Sequence, residues 1–301
     1  MLRSFHHTQF PVHRLLEAKR GRRVSVCLPA RDEAATVGHT VEVVRRDLME
    51  RSALVDELVV IDDGSTDDTA EIALASGARV LAASDVLREY GEEGGKGQAL
   101  WRGLAATSGD IVAYCDADVR NFGPEFVTGI VGPLLVRDDV NFVKAFYERP
   151  LDGRPGEGGR VTELVARPLI SLLFPQLAPL IQPLAGECAA RREVLEQVPF
   201  VGGYGVDLGL LIDVSEQFGA STIVQCDLGS RVHRNRPLSE LGPQAMAIIQ
   251  LALSRAGLDW GDGIESLPWR SLLLRPGLDP VPIVLTERPP LAEVPAHRKT
   301  A

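Results

Sequence analysis

Residues 111–121 read IVAYCDADVRN, an apolar run that delivers two carboxylates, Asp116 and Asp118, one residue apart. On an extended chain that spacing turns both side chains to one side, and two negative charges so close need a positive partner. A hard divalent cation is one candidate, since Mg²⁺ usually takes one or two carboxylates together with substrate phosphates. Capping of the following turn is the plainer use of the same residues, and a lone D-x-D does not choose between them. Two other apolar runs also end in acids. LPARDE brings Asp32 and Glu33 after Pro29 and Ala30, and VVIDDGS brings Asp62 and Asp63. Asp62 or Asp63 could hold a ribose hydroxyl, whereas acids ahead of a helix are also ordinary partners of its dipole.

Three further clusters could hold anions. In GEEGGKGQALWRG, Gly94, Gly95 and Gly97 flank Lys96 directly before a helical pattern. Glycines let backbone N–H groups approach an anion and the helix start adds partial positive charge, but the spacing is not that of a P-loop, and a hinge is the alternative. GEGGRVTELVARP offers Gly158, Gly159, Arg160 and Thr162 at another helix start, a cradle for phosphate or carboxylate. RVHRNRPL sets His233 and Asn235 among Arg231, Arg234 and Arg236, to be read as a metal or anion site or as a solvated basic turn. GGYGVDLGLLID puts Asp207 into an apolar helix, where a buried carboxylate needs a partner unless it caps the helix.

The elements that must position these residues follow a repeat. VSVCLPA, DELVVIDD, ARVLAA and IVAYCDAD read as strands, separated by helical spacing over residues 34–49, 66–77 and 97–109, with Ser65 as the expected cap of the second helix. Strands alternating with helices predict a mostly parallel sheet flanked by helices, with ligands at the carboxyl ends of the strands. Further on, helices are predicted in EFVTGIVGPLL, from about Val161, in VDLGLLIDVSEQFG and over 240–255, and strands in NFVKAFYER and TIVQCDLGSRVHR. The tail beyond Trp260 is punctuated by proline and is expected to wrap a surface or a neighbouring subunit.

The 301 residues carry 32 basic and 41 acidic side chains, a net charge of −9, so nothing global suggests a nucleic-acid binder. Any phosphate site must be built locally. Cys27, Cys115, Cys188 and Cys226 are far apart and form no C-x-x-C pair, which reads as reduced core thiols of a cytoplasmic protein. The N-terminus lacks the apolar stretch of a signal peptide. The uncharged segment 168–186 is interrupted by Pro168, Pro175, Pro179 and Pro183, which argues for core or an oligomer contact over a membrane span.

Together, LPARDEAAT, VVIDDGSTDDT, GKGQALW and YCDAD resemble the GT-A fold of nucleotide-sugar glycosyltransferases. GKGQALWRGLAATSGDIV, GGRVTELVARPL, GYGVDLGLLID and RVHRNRPL resemble the glucosyl-3-phosphoglycerate synthases of actinobacterial type, over about Arg22 to Leu241. The resemblance implies an α/β GT-A fold with a C-terminal acceptor-binding region and an extended tail. It divides the chain into a nucleotide-sugar part (22–121), an acceptor-binding and metal-completing part (122–258) and a tail (259–301). It implies retaining transfer of glucose from UDP-glucose to 3-phosphoglycerate, assisted by Mg²⁺ or Mn²⁺, in a homodimer. By position it assigns Pro29, Ala30, Glu33, Asp63, Lys96 and Asp116 to the donor nucleotide and Asp118 and His233 to the metal. Gly159, Arg160, Thr162, Asn235 and Tyr204 fall to the acceptor and sugar, with Asp207 and Lys96 at the chemistry.

The family pattern has Glu where this chain has Asp207 and Asn where it has Asp32, and it has Ser and Tyr at the positions of Ala185 and Cys188. A related mannosyl enzyme using GDP-mannose is the nearest alternative. A catalytically inactive nucleotide-sugar-binding protein is the alternative from another class.

Overall fold

Val24–Ala30 is almost wholly buried, as a strand must be when other strands flank it and helices cover both faces. In the computed structural model, which describes residues 2–150, 158–232, 238–258, 271–272, 281–282 and 286–295, this run is β2 of an eight-stranded sheet. The chain opens with β1 (Arg3–His6) and α1 (Val12–Lys19), then β2, α2 (Val37–Val43), β3 (Glu57–Asp62), α3 (Thr69–Ala75), β4 (Arg79–Ala82), α4 (Lys96–Ala106) and β5 (Ile111–Tyr114). It continues with α5 (Glu125–Val136), β6 (Phe142–Glu148), α6 (Arg167–Leu173), β7 (Cys188–Arg191), α7 (Arg192–Leu195), β8 (Phe200–Val201), α8 (Val206–Phe218), β9 (Ile223–Ser230) and α9 (Leu238–Arg255). Short strands β10 (Ser271–Leu272), β11 (Val281–Pro282) and β12 (Glu287–Arg288) complete it.

The sheet order is β1-β9-β6-β7-β5-β2-β3-β4, parallel except for β7, which runs antiparallel to both β5 and β6. That reversal places Glu187, just before β7, at the edge where the parallel strands end. The register sets Ala30 beside Asp62 and Cys27 beside Tyr114, so the loops after β2, β3 and β5 leave from one edge. The α/β class and the mostly parallel sheet agree with expectation. β1 and β7 were not anticipated: RSFH and CAAR are too short and too little patterned to register as strands.

Three local expectations need correction. Ser65 does not cap α3, which starts at Thr69 with Asp68 at the cap position. Instead Asp67 Oδ1 accepts the Thr69 N–H at 3.0 Å, while Ser65 Oγ accepts the Asp32 N–H at 3.0 Å and Asp32 Oδ1 accepts the Thr66 N–H at 2.7 Å. These bonds stitch the β2 and β3 loops together, with Asp32 in the left-handed region at φ 56°. The helix over 34–49 keeps its winding to Glu50, but from Val44 onward it widens into a π-helix. The strand over 222–234 stops at Ser230, with residues 231–232 irregular and 233–234 outside the described residues.

The uncharged segment folds as α6 and a short turn at Pro175–Leu177, with Ile170, Phe174, Leu177 and Leu180 in the core. Among the described residues no helix is long and apolar enough to cross a membrane. All four cysteines are buried and unpaired. The described part of the tail packs on its own chain: β12 pairs antiparallel with β8, and Leu291 and Val294 are fully buried.

Candidate functional site

A cavity of about 600 Å³ opens where β2, β3 and β5 end. Pro29, Ala30, Glu33, Asp63, Lys96, Asp116, Asp118, Gly159, Arg160, Thr162, Tyr204 and Asp207 all line it, so the residues that the resemblance assigns to the site, within the described segments, come to one place, whereas Asp62, Gly94 and Gly97 do not line it. His233 and Asn235 lie outside the described residues.

Lys96 is the first residue of α4, and the glycines around it are steric necessities. Gly95 has φ 114° and donates its N–H to Asp63 Oδ2 at 2.7 Å. A Cβ on Gly97 would stand 1.9 Å from the Val201 carbonyl oxygen, so only glycine lets α4 lie this close to β8. The Lys96 ammonium then sits 3.1 Å from Asp116 Oδ1 and 3.2 Å from Asp207 Oδ2. Burial works against its charge, but Asp116 and Asp207 outweigh burial and raise its pKa above the ordinary lysine value. Asp63 moves the other way for a carboxylate: burial raises its pKa in spite of the Gly95 N–H and Arg31.

The positive charge between the two aspartates is Arg231. Its Nη2 lies 2.9 Å from Asp116 Oδ2 and 2.5 Å from Asp118 Oδ1, and its side chain is 3% exposed. Its Nη1 donates to Tyr147 Oη at 2.7 Å, and Tyr147 donates in turn to Glu187 Oε2 at 2.6 Å. Asp116 is buried, which by itself would raise its pKa, but Lys96 and Arg231 hold it well below the usual carboxylate range. Glu187, also fully buried, is pushed up by desolvation. As a sequence, RVHRNRPL distinguished none of its arginines. What singles out Arg231 is that it directly follows a buried strand.

A second buried cation escaped sequence reasoning. Lys144, inside β6 and 1% exposed, places Nζ 2.9 Å from Asp207 Oδ1. Asp207 is thus held between two ammonium groups, the partners that a buried carboxylate requires. The signal was present, since a lysine in the apolar run NFVKAF can be buried only against an anion.

Among the described residues no group of three acids, histidines or cysteines could hold a metal alone. Asp118 nonetheless fits the oxygen chemistry of Mg²⁺ or Mn²⁺. It stands at the cavity wall with its side chain 26% exposed, and one carboxylate completed by diphosphate oxygens is a donor set that Mg²⁺ commonly takes.

The chain matches the family model Glycosyl transferase family 2 over residues 25–198, the part that builds β2 through α7. It is 42% identical to the glucosyl-3-phosphoglycerate synthase of Petrotoga mobilis over 99% of this chain and 95% of that protein. It is 49% identical to that of Mycolicibacterium paratuberculosis over 87% and 81%. The crystal structure of glucosyl-3-phosphoglycerate synthase from Mycobacterium tuberculosis in complex with Mn²⁺, UDP-glucose and phosphoglyceric acid superposes with a TM-score of 0.87. That match has 45% identity over 97% of this chain and 98% of the other. The fold and site are those of a hexosyltransferase with a GT-A fold. The chain belongs to glycosyl transferase family 2 and, within it, to the glucosyl-3-phosphoglycerate synthases.

Proposed function

We propose that this protein transfers glucose from UDP-glucose to the 2-hydroxyl of 3-phosphoglycerate with retention of configuration, releasing UDP. The observation that carries the reading is the meeting of Lys96, Asp116 and Asp207 at 3.1 and 3.2 Å in the same cavity as the Gly159–Thr162 turn. Transfer requires a leaving diphosphate and an acceptor to stand side by side. The relatives named above are glucosyl enzymes, which disfavours GDP-mannose as the donor.

In this reading residues 22–121 serve the donor and 122–258 the acceptor. Pro29, Ala30, Glu33, Asp63 and Asp116 orient the nucleotide, with Asp63 braced by the Gly95 N–H. Asp118, with His233, holds Mg²⁺ or Mn²⁺, which when bound offsets the charge that builds on the departing diphosphate. Lys96 stands where it supports the same charge. Gly159, Arg160, Thr162 and Asn235 clasp the acceptor, and Tyr204 and Asp207 face the sugar.

Retention demands either a carboxylate nucleophile or attack from the face that the leaving group vacates. Asp207 is poorly suited to be the nucleophile, because each of its oxygens is already engaged by an ammonium, at 2.9 and 3.2 Å. Same-face attack, with the departing phosphate oxygen helping to take the acceptor proton, fits that arrangement. A glycosyl adduct trapped on Asp207 would refute it.

Incubating purified protein and Mn²⁺ with UDP-glucose or GDP-mannose and 3-phosphoglycerate, then identifying the product and its anomeric configuration, tests the whole reading. Binding of UDP-glucose without turnover on any acceptor would make the chain a sensor instead. We also propose a homodimer, with the exposed Leu164 and Leu172 of the helical run 160–173 in its contact. Sedimentation as a monomer would remove it. Four reduced, buried cysteines suit a cytoplasmic location, which cell fractionation would check.

A further inference from the structure

This inference rests on the acceptor reading above. An acceptor with a phosphate and a carboxylate carries a charge of about −3 near neutral pH. Of the four residues assigned to it, Gly159, Arg160, Thr162 and Asn235, only Arg160 is a cation. Three further guanidiniums line the same cavity; Arg231 is engaged by Asp116 and Asp118 and Arg31 faces Asp63, which leaves Arg149, directly after β6.

Arg149 is fixed before any ligand arrives. Its guanidinium lies 4.7 Å from the centroid of the Tyr147 ring, and Nη2 donates to Tyr147 Oη at 2.7 Å. That phenol is itself locked by Arg231 and Glu187. On the other side Arg149 abuts the acceptor turn. Its carbonyl accepts the Gly158 N–H at 3.1 Å, and a Cβ on Gly158 would stand 2.6 Å from its own Cβ. A Cβ on Gly159 would lie 4.0 Å from its Nη1. Among the described residues its Nε is buried without a hydrogen-bond partner, so their acceptors do not exhaust this guanidinium. Through Tyr147 and Arg231 the same chain of contacts reaches Asp116 and Asp118. Arg149 therefore stands between the Gly158–Thr162 turn and the paired acids.

The chemistry of the acceptor decides which of its anionic groups belongs here. The carboxylate is bonded directly to the carbon that bears the reacting 2-hydroxyl, while the phosphorus lies a further carbon and oxygen away. The carboxylate must therefore lie nearer the reaction centre. We propose that Arg149 binds the acceptor's carboxylate, leaving the phosphate to the Gly159–Thr162 turn. A planar guanidinium meets a carboxylate through two parallel hydrogen bonds, which also fixes the direction of the adjacent hydroxyl.

The test compares wild type, Arg149→Met and Arg149→Lys by calorimetry in the presence of UDP and Mn²⁺. The ligands are 3-phosphoglycerate and glycerol 3-phosphate, which keeps the phosphate and lacks the carboxylate. Arg149→Met should weaken 3-phosphoglycerate by about 10- to 100-fold, as loss of a charged hydrogen-bonded pair does, and glycerol 3-phosphate by less than about threefold. Arg149→Lys should fall between, with UDP affinity unchanged. Undiminished 3-phosphoglycerate binding, an equal loss for both ligands, or a loss of UDP affinity overturns the assignment. Thermal melts report whether each variant folds, and the lysine variant decides if the methionine variant does not. Failure of the wild type to bind 3-phosphoglycerate would overturn the proposed function instead.

Discussion

Asp207→Ala should cost stability as well as turnover, and removing Lys144 in the same protein should return much of the stability and none of the turnover. Lys144 Nζ is 2.9 Å from Asp207 Oδ1 with its side chain 1% exposed. At an effective dielectric of about 20, unit charges at that separation attract by about 6 kcal/mol. Desolvating both groups offsets most of that attraction, at several kcal/mol per ion. The intact pair is therefore worth little net, but deleting one partner strands the other. Lys96 would keep Asp116 at 3.1 Å, whereas among the described residues Lys144 has no second acid within salt-bridge distance.

The stranded ammonium should cost about 3–5 kcal/mol, a large part of the roughly 5–15 kcal/mol that holds a typical protein folded. Urea denaturation of wild type, Asp207→Ala, Lys144→Met and the double variant reads this directly. Asp207→Ala should be the least stable of the four, and the double variant should be more stable than it in spite of carrying one more substitution. Equal stability of Asp207→Ala and wild type, or no recovery in the double variant, would show that Lys144 is not charged against Asp207. Turnover should be absent in both proteins that lack Asp207, which separates its structural burden from its chemical one.

Asp118→Ala should abolish metal-dependent UDP release and weaken Mn²⁺ binding in the presence of UDP, while unchanged turnover would remove Asp118 from the site. Arg288, from β12, donates to Gln98 Oε1, the Tyr90 carbonyl and Glu93 Oε2, and so clamps the loop that leads into Lys96. Arg288→Gln should therefore raise the KM for UDP-glucose well beyond any change for the acceptor, and initial rates showing equal effects on both would refute the clamp. Asp63 holds its proton more tightly folded than unfolded, because burial raises its pKa. Stability attributable to it therefore falls as pH climbs from about 4 through that raised value. Asp63→Asn should lack this fall and melt no lower than wild type at pH 7, while binding UDP more weakly. A lower melting temperature for the variant would show that the Gly95 contact needs the ionised form.

Much of the architecture was legible because the residues that determine it are neighbours in the chain. The apolar runs of β2, β3 and β5 and the helical spacing between them predict the parallel sheet and its polar rim from local pattern alone. Residue chemistry and order placed Lys96 at a helix start and Asp116 and Asp118 at a strand end, as the structure has them. β7 was not legible, since the four residues CAAR have no period and their antiparallel direction is set by the partners they join.

IVAYCDADVRN posed the question of what stands between its two aspartates, and the sequence could name only the kind of answer, a positive charge. Which charge was decided by tertiary structure. Arg231 comes from the end of β9, 113 residues after Asp118, and reaches the pair because β9 and β5 are strands of one sheet. Lys144 and Asp207 likewise meet across 63 residues. Burial makes such pairings obligatory, because a charge removed from water must find an opposite one. The partner, however, is chosen by sheet order and register, which no local stretch of sequence contains.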